Sequence, residues 1–186
     1  MIRKEAVEIV CKFLKDEIVV SANGFISRDV FSSLEKESNF YMIGSMGLAS
    51  SIGLGIALKK PKKKIFVFDG DGNILMNLGS LVTIGSLQPR NLIHIIFDNR
   101  IHESTGGQPT HSRNNNISKI AKINDYSIFM TNTKRSLENT MKKIQKIKGP
   151  ILIHVHITKS KEKSSRVDIL PKEITSRFMN SIKWMQ

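Results

Sequence analysis

The sequence has one cysteine, few aromatic side chains, far fewer acidic than basic groups and no long apolar run. Cys11 alone can form neither an internal disulfide nor a zinc cluster, so a reducing compartment, the cytoplasm, is the expected location. The N-terminus begins basic and then apolar, as a secretory signal does, but Lys12, Lys15, Asp16 and Glu17 interrupt it. No later stretch reaches the ~18 consecutive apolar residues of a membrane span, and a soluble protein with no membrane partner is expected. Aromatic residues make up 6%, too few to interleave a stacking platform with the basic stretches. The shortage of acid leaves 29 Lys+Arg against 16 Asp+Glu, a formal charge of +13. Those lysines gather at 59–64, 142–148 and 159–163, in turns and on helix faces. They are read as solubility and as a field that favours anionic ligands, not as a nucleic-acid surface. Two nucleotide signatures are missing as well: no Gly-Lys-Ser/Thr loop occurs, and no Gly-x-Gly-x-x-Gly opens a helix after the first strand.

What is present is a regular alternation. With 186 residues, 40% of them hydrophobic, the chain suits one domain over 1–186. Ile2, Val7, Ile9, Val10 and Leu14 fall at helical spacing, and a β-branched run follows at 18–20. A helix after Ser27, a short strand at 40–43 and a helix over about 48–58 continue the pattern. Residues 65–68 and 92–97 are apolar without polar alternation, as in strands buried on both faces. A helix over 74–87 is expected between them. Strands near 126–130 and 151–157, a basic helix over 136–146, a polar excursion at 158–170 and a C-terminal amphipathic helix complete the chain. The reading is an α/β fold of three layers, a mostly parallel central sheet with helices on both faces.

The chemistry concentrates in Asp69-Gly70-Asp71-Gly72-Asn73, where a buried strand stops and a helix starts. In a parallel sheet this is the carboxyl edge, where ligands bind and helix N-termini offer free N–H groups to anions. Gly70 and Gly72 let a ligand approach the backbone, and Asp71 between them can turn an oxygen toward a cation. A calcium loop is excluded, because Ile74 stands where that loop needs Gly and Ser80 where it needs Glu. A helix over 74–87 rises about 21 Å and a strand over 92–97 returns about 20 Å. The chain therefore comes back to the same edge at Asp98-Asn99, and Asp71 and Asn99 can share one metal. One carboxylate and one amide oxygen suit Mg²⁺ completed by ligand phosphates, so the expected ligand is a diphosphate.

Gly70-Asp71-Gly72 followed at this distance by Asp98-Asn99 resembles the motif of thiamine-diphosphate enzymes, a Gly-Asp-Gly and then Asn-Asn; Asp98 replaces the first Asn. The resemblance implies thiamine diphosphate and Mg²⁺ as cofactors, with Asp71, Asn99 and the carbonyl of Ile101 as metal ligands. Gly44-Ser45-Met46-Gly47 is similar to the family's loop beneath the cofactor, which implies Met46 as the apolar wedge and Gly44 as a carbonyl partner of the aminopyrimidine. The implied cofactor-binding set is Gly44, Ser45, Met46, Gly70, Asp71, Gly72, Asn73, Asn99, Ile101, His102 and Ser104, and the implied catalytic side chains are His102, Glu103 and Met46. Thr105, Arg28 and Arg100 are further candidates for an anionic group.

The segment His102-Glu-Ser-Thr-Gly-Gly-Gln-Pro-Thr110 narrows the resemblance to the phosphonopyruvate and sulfopyruvate decarboxylases, and toward the phosphonopyruvate enzymes; Asn23-Gly-Phe-Ile-Ser-Arg28 resembles either, leaning toward the sulfopyruvate enzymes. The alternative is a β subunit of sulfopyruvate decarboxylase, or, in a different class, a noncatalytic basic binding module. What the family implies further is a separate α-type subunit carrying the pyrimidine-binding domain and its activating glutamate, an α2β2 or larger assembly, and a small anionic 2-oxoacid substrate. His94, His154 and His156 sit in strand runs and are read as sheet histidines, and His111 is given no role.

Overall fold

The computed structural model describes residues 1–182. Among them are six strands, all parallel, in the order β2-β1-β3-β4-β6-β5. In chain order the elements are α1 Arg3–Cys11, β1 Ile18–Ser21, α2 Phe25–Ser33, β2 Asn39–Tyr41, α3 Ala49–Lys59, β3 Ile65–Gly70, α4 Asp71–Leu75, α5 Gly79–Leu87, β4 Leu92–Asp98, α6 Ile117–Ile123, β5 Ser127–Thr131, α7 Lys134–Ile144, β6 Ile151–His156 and α8 Pro171–Ser181. Helices α1, α2 and α7 pack together on one face, while α3, α5 and α6 pack together on the other. That division is the one right-handed crossovers produce for this strand order. The three-layer α/β expectation is met.

The central strands explain why the sheet lies deep. Ile65, Phe66, Val67 and Phe68 of β3 are all 0% exposed, so a run without polar alternation is buried on both faces. At β5 the pattern changes to partial exposure, as an edge strand allows. Helix α3 can lie close on β3 because of Gly53, where a Cβ would stand 2.2 Å from Val67 Cγ2. Helix α7 turns Leu137, Met141 and Ile144 inward and is capped by Thr133, whose side chain accepts from Ser136 N at 3.2 Å. Helix α8 begins at Pro171, where the missing N–H costs nothing.

Two elements differ from expectation. The helix expected over 74–87 is two pieces, α4 and α5, because the chain turns at 76–78. Met76 N bonds Asn73 O at 3.2 Å and Asn77 N bonds Ile74 O at 3.0 Å, and Asn77 turns its side chain out to the carbonyl of Gly47 at 3.0 Å. Between Ser112 and Tyr126, where no element was expected, lies α6, capped by the Asn116 side chain accepting from Lys119 N. No helix of the described residues is long and apolar enough to cross a membrane.

Candidate cofactor site

The strand order reverses at β1 and β3. From β1 the chain crosses to one side of the sheet, and from β3 it crosses to the other, which opens a crevice at the carboxyl ends of the strands. Three loops line that crevice: Asn23 after β1, the Asp71 loop after β3, and the Asn99 loop after β4. Met46, Gly70, Gly72, Asn73, Ile101, His102, Glu103 and Ser104 line the same hollow. Ten of the twelve residues implied by the motifs are thus brought together. Gly44 and Ser45 lie just beyond Met46, exposed, on the wall of a neighbouring hollow.

A hydrogen-bonded chain joins the two metal-motif loops. Thr110 Oγ1 donates to Asp71 Oδ2 and lies 3.1 Å from Ser112 Oγ, which donates to Asp98 Oδ1 at 3.0 Å. Thr110 and Ser112 bracket the far end of the loop that begins at Asn99. Its near end is set by side chains folding back on the backbone, Asp98 Oδ1 accepting from Arg100 N at 3.0 Å and Asn99 Oδ1 from Ile101 N at 3.1 Å. Arg100 is thereby held at φ 64, a left-handed conformation unusual outside glycine. Asp71 is 3% exposed, and burial pushes its pKa up to about 6. A buried carboxylate, an amide oxygen and a main-chain carbonyl around one hollow are the hard oxygen donors that suit Mg²⁺. These residues fit the implied metal.

The Met46 loop is fixed just as closely. Asn73 Oδ1 accepts from Gly47 N at 2.8 Å, while Asn73 Nδ2 donates to Asp69 Oδ1. Asp69 is in turn held by Gly70 N at 2.8 Å and by His94 Nε2 at 2.9 Å. Asn73 is therefore a strut that ties the loop carrying Met46 to β3. Ser45 sits at φ 54 and Gly47 at φ 96, so two left-handed residues bracket Met46 and turn it toward the cleft.

His102 lies against the Gly-Asp-Gly turn. A Cβ on Gly72 would stand 2.7 Å from two atoms of its ring, so only glycine admits both that ring and a close ligand. Ser104 approaches the loop after β1, its Oγ 3.1 Å from where a Gly24 Cβ would be, and like Thr105 and Arg100 it is exposed. Arg28 lines an adjoining hollow that shares Asn23 and Ser104 with the cleft. Both oxygens of Glu103 are engaged, Oε2 by Arg3 and by Asn99 Nδ2 at 2.8 Å, and Oε1 by Ser160 N at 3.0 Å. Arg3 was missed by sequence reasoning, since it stands far from any motif at the start of α1. The histidines read as sheet residues do lie in β4 and β6, and His154 is buried, with Nδ1 2.7 Å from Ser118 Oγ and Nε2 2.8 Å from Asp98 Oδ2, a tie between β4 and α6 that no motif signalled.

Residues 27–155 match the model of the family described as thiamine pyrophosphate enzyme, C-terminal TPP binding domain. Over 184 residues the chain is 38% identical to the sulfopyruvate decarboxylase subunit beta of Methanococcus maripaludis, covering 97% of each, and over 169 residues it is 44% identical to that of Methanocaldococcus jannaschii, covering 90% of this chain and 89% of the other. It is 37% identical to the phosphonopyruvate decarboxylase of Streptomyces viridochromogenes, over 88% of this chain but only 42% of that protein. A solved structure of a candidate thiamin diphosphate-dependent enzyme from Mycobacterium smegmatis superposes with a TM-score of 0.70 at 19% identity, covering 86% of this chain and 32% of the other. The carboxyl-edge crevice, its linked Asp71 and Asn99 loops and these relatives place the chain in the thiamine pyrophosphate enzyme family, among its decarboxylases.

Proposed function

We propose that this chain is the β-type, diphosphate-binding subunit of a Mg²⁺-dependent decarboxylase whose substrate is a three-carbon 2-oxoacid with an anionic group on C3, phosphonopyruvate by the reading of its active-site loop. The observation that carries the cofactor assignment is the chain Asp71–Thr110–Ser112–Asp98, which draws the two metal-motif loops onto one hollow. Asp71, Asn99 Oδ1 and the Ile101 carbonyl would hold Mg²⁺, and Gly72 would admit the diphosphate to the backbone. Met46 would support the cofactor from its braced loop. When bound, thiamine diphosphate supplies the electron sink that lets CO₂ leave a 2-oxoacid. The protein's share is placement and charge. His102 lies against Gly72, its ring 2.7 Å from where a Cβ would stand, and so borders the diphosphate loop.

The substrate reading rests on residues 102–110 and not on overall identity. Three sulfopyruvate decarboxylase β subunits are 36% to 44% identical and two phosphonopyruvate decarboxylases 37% and 38%, so the two ranges overlap. Sulfopyruvate is the second reading, favoured by the near-complete length match to separate β subunits. An α-type partner bringing the pyrimidine-binding domain and the activating glutamate is supported by apolar side chains beside the Met46 loop: Ile43, Leu48 and Met76 are 59%, 45% and 62% exposed.

The test is CO₂ release by the chain co-expressed with its α subunit, with Mg²⁺ and thiamine diphosphate, from each substrate in turn. Release from phosphonopyruvate that Asp71→Ala abolishes supports the whole reading. Preference for sulfopyruvate keeps the cofactor site and moves the substrate. No release from either, together with no cofactor binding, would sink the reading.

A further inference from the structure

Arg3 precedes the segment matched by the family model and belongs to none of the motifs, yet its guanidinium reaches the cofactor cleft. It is 4% exposed and stacks over Phe25, Cζ 4.8 Å from the ring centroid. Nε donates to Asp29 Oδ2 at 2.7 Å, and Nη1 donates to Glu103 Oε2. The same Glu103 oxygen accepts from Asn99 Nδ2 at 2.8 Å, and Oε1 accepts from Ser160 N at 3.0 Å. Asp29 is secured from the other side by Ser164 Oγ at 2.7 Å. Helix α1, the loop after β4 and the segment after β6 therefore meet at one ionic cluster.

Three donors converge on the Glu103 carboxylate, from Arg3, Asn99 and Ser160. What it does determine is which way the Asn99 amide faces. An ionised carboxylate only accepts, so the amide nitrogen must point at Glu103 and Oδ1 must lie on the opposite side, where it already accepts from Ile101 N at 3.1 Å. Turning the amide over would set two acceptors against each other with no proton between them. Arg3 makes that carboxylate tolerable, since an unpaired buried charge beside a diphosphate would be strongly disfavoured.

We propose that Arg3 and Glu103 are a positioning pair that orients Asn99 Oδ1 as a metal ligand, Arg3 acting through Glu103 and Glu103 through the amide. This rests on the Mg²⁺–thiamine diphosphate reading above. Partners of this kind typically change metal affinity ten- to hundredfold when removed.

The experiment is a calorimetric titration of Mg²⁺ into the assembled enzyme at saturating thiamine diphosphate, with the melting temperature of each metal-free protein measured alongside. Glu103→Gln keeps the shape but puts an amide NH₂ into the cluster, so Asn99 can flip. Glu103→Gln and Arg3→Met should each weaken Mg²⁺ binding by about ten- to hundredfold, and the double variant should bind no more weakly than the worse single one. Arg3→Lys, a single ammonium that cannot bridge both carboxylates, should fall between. A purely structural role would lower the melting temperature and leave the affinity of folded protein alone. Folded Glu103→Gln with wild-type Mg²⁺ affinity overturns the proposal, as do losses that simply add in the double variant. If the wild-type protein itself binds no Mg²⁺ with thiamine diphosphate, the functional reading falls and this inference with it; normal wild-type binding with unaffected variants sinks this inference alone.

Discussion

Replacing Asp71 by asparagine separates what its carboxylate does for a metal from what it costs the fold. Burial pushes its pKa from an ordinary 3.8 to about 6; the hydroxyl of Thr110 opposes the rise, and the charge of Asp98 adds to it. Holding such a group ionised well above pH 6 costs about 3 kcal/mol. Because the folded value is raised, the stabilising contribution is fully present below pH 3.8 and is lost as the pH climbs through about 6. In metal-free protein at alkaline pH, Asp71→Asn removes that cost. The bond from Thr110 already opposes the rise within that figure, so the net gain is about 3 kcal/mol. For a chain of this length that is a rise of about 6 to 12 °C in melting temperature. Mg²⁺ and thiamine diphosphate should raise the melting temperature of the wild-type protein and leave the variant unmoved. The assay is thermal unfolding at pH 8 and pH 5, with and without both ligands. A variant no more stable than wild type in metal-free buffer at pH 8, or an equal gap at both pH values, would refute the argument.

Two glycines give sharper steric tests. Gly53→Ala drives a Cβ to 2.2 Å from Val67 Cγ2, in a strand with nowhere to move, so urea unfolding should show a loss of roughly 1–3 kcal/mol despite the better helix propensity of alanine. Gly55→Ala, where a Cβ meets nothing within 4 Å, is the control and should be neutral or stabilising by up to about 1 kcal/mol. Gly72→Ala places its Cβ 2.7 Å from the His102 ring, which can swing away, so the fold should survive with little change in melting temperature while thiamine diphosphate affinity drops. Unchanged cofactor affinity would show that the close approach at Gly72 is not used.

Much of this architecture was legible because burial writes itself into composition. The apolar runs at 65–68 and 92–97 are the two central strands, and Asp71 and Asn99 fall where those strands end. The site legible in the motifs is the part made by residues close to a strand end. The break at 76–78 left no such trace, since it depends on Asn77 bonding a carbonyl thirty residues earlier. Helix α6 is short and rests on a single side-chain cap at Asn116. Arg3 was invisible for a related reason: nothing local distinguishes an arginine in the first turn of an amphipathic helix from one in solvent. Only the fold brings Asp29 and Glu103 to it.

Asp98, which departs from the Asn-Asn of the family motif, can be understood from its neighbours. Burial pushes its pKa up, but the hydrogen bond and charge of His154, with donors from Ser112 and Arg100 N, hold it below the usual carboxylate value overall. Oδ1 takes Ser112 and Arg100 N while Oδ2 faces His154 Nε2 at 2.8 Å. In Asp98→Asn the amide oxygen keeps the first two donors, and Nδ2 replaces the second oxygen. The imidazole can meet it in the tautomer whose Nε2 accepts and whose Nδ1–H donates to Ser118 Oγ across the existing 2.7 Å contact. One charge-assisted bond becomes neutral, so the loss should be only about 1 kcal/mol. The larger effect falls on Asp71, which no longer faces the Asp98 charge that helps raise its pKa. A metal binds the ionised carboxylate, so Mg²⁺ affinity in the wild-type protein should decline as the pH falls below about 6, and in Asp98→Asn the decline should begin at lower pH. Calorimetric titrations between pH 5 and pH 8 decide it. Coincident curves for the two proteins would mean that Asp98 and Asp71 do not sense each other; a displaced curve with little loss of stability would explain how aspartate and asparagine serve the same position, each giving two acceptor contacts to its own loop and leaving His154 to adjust.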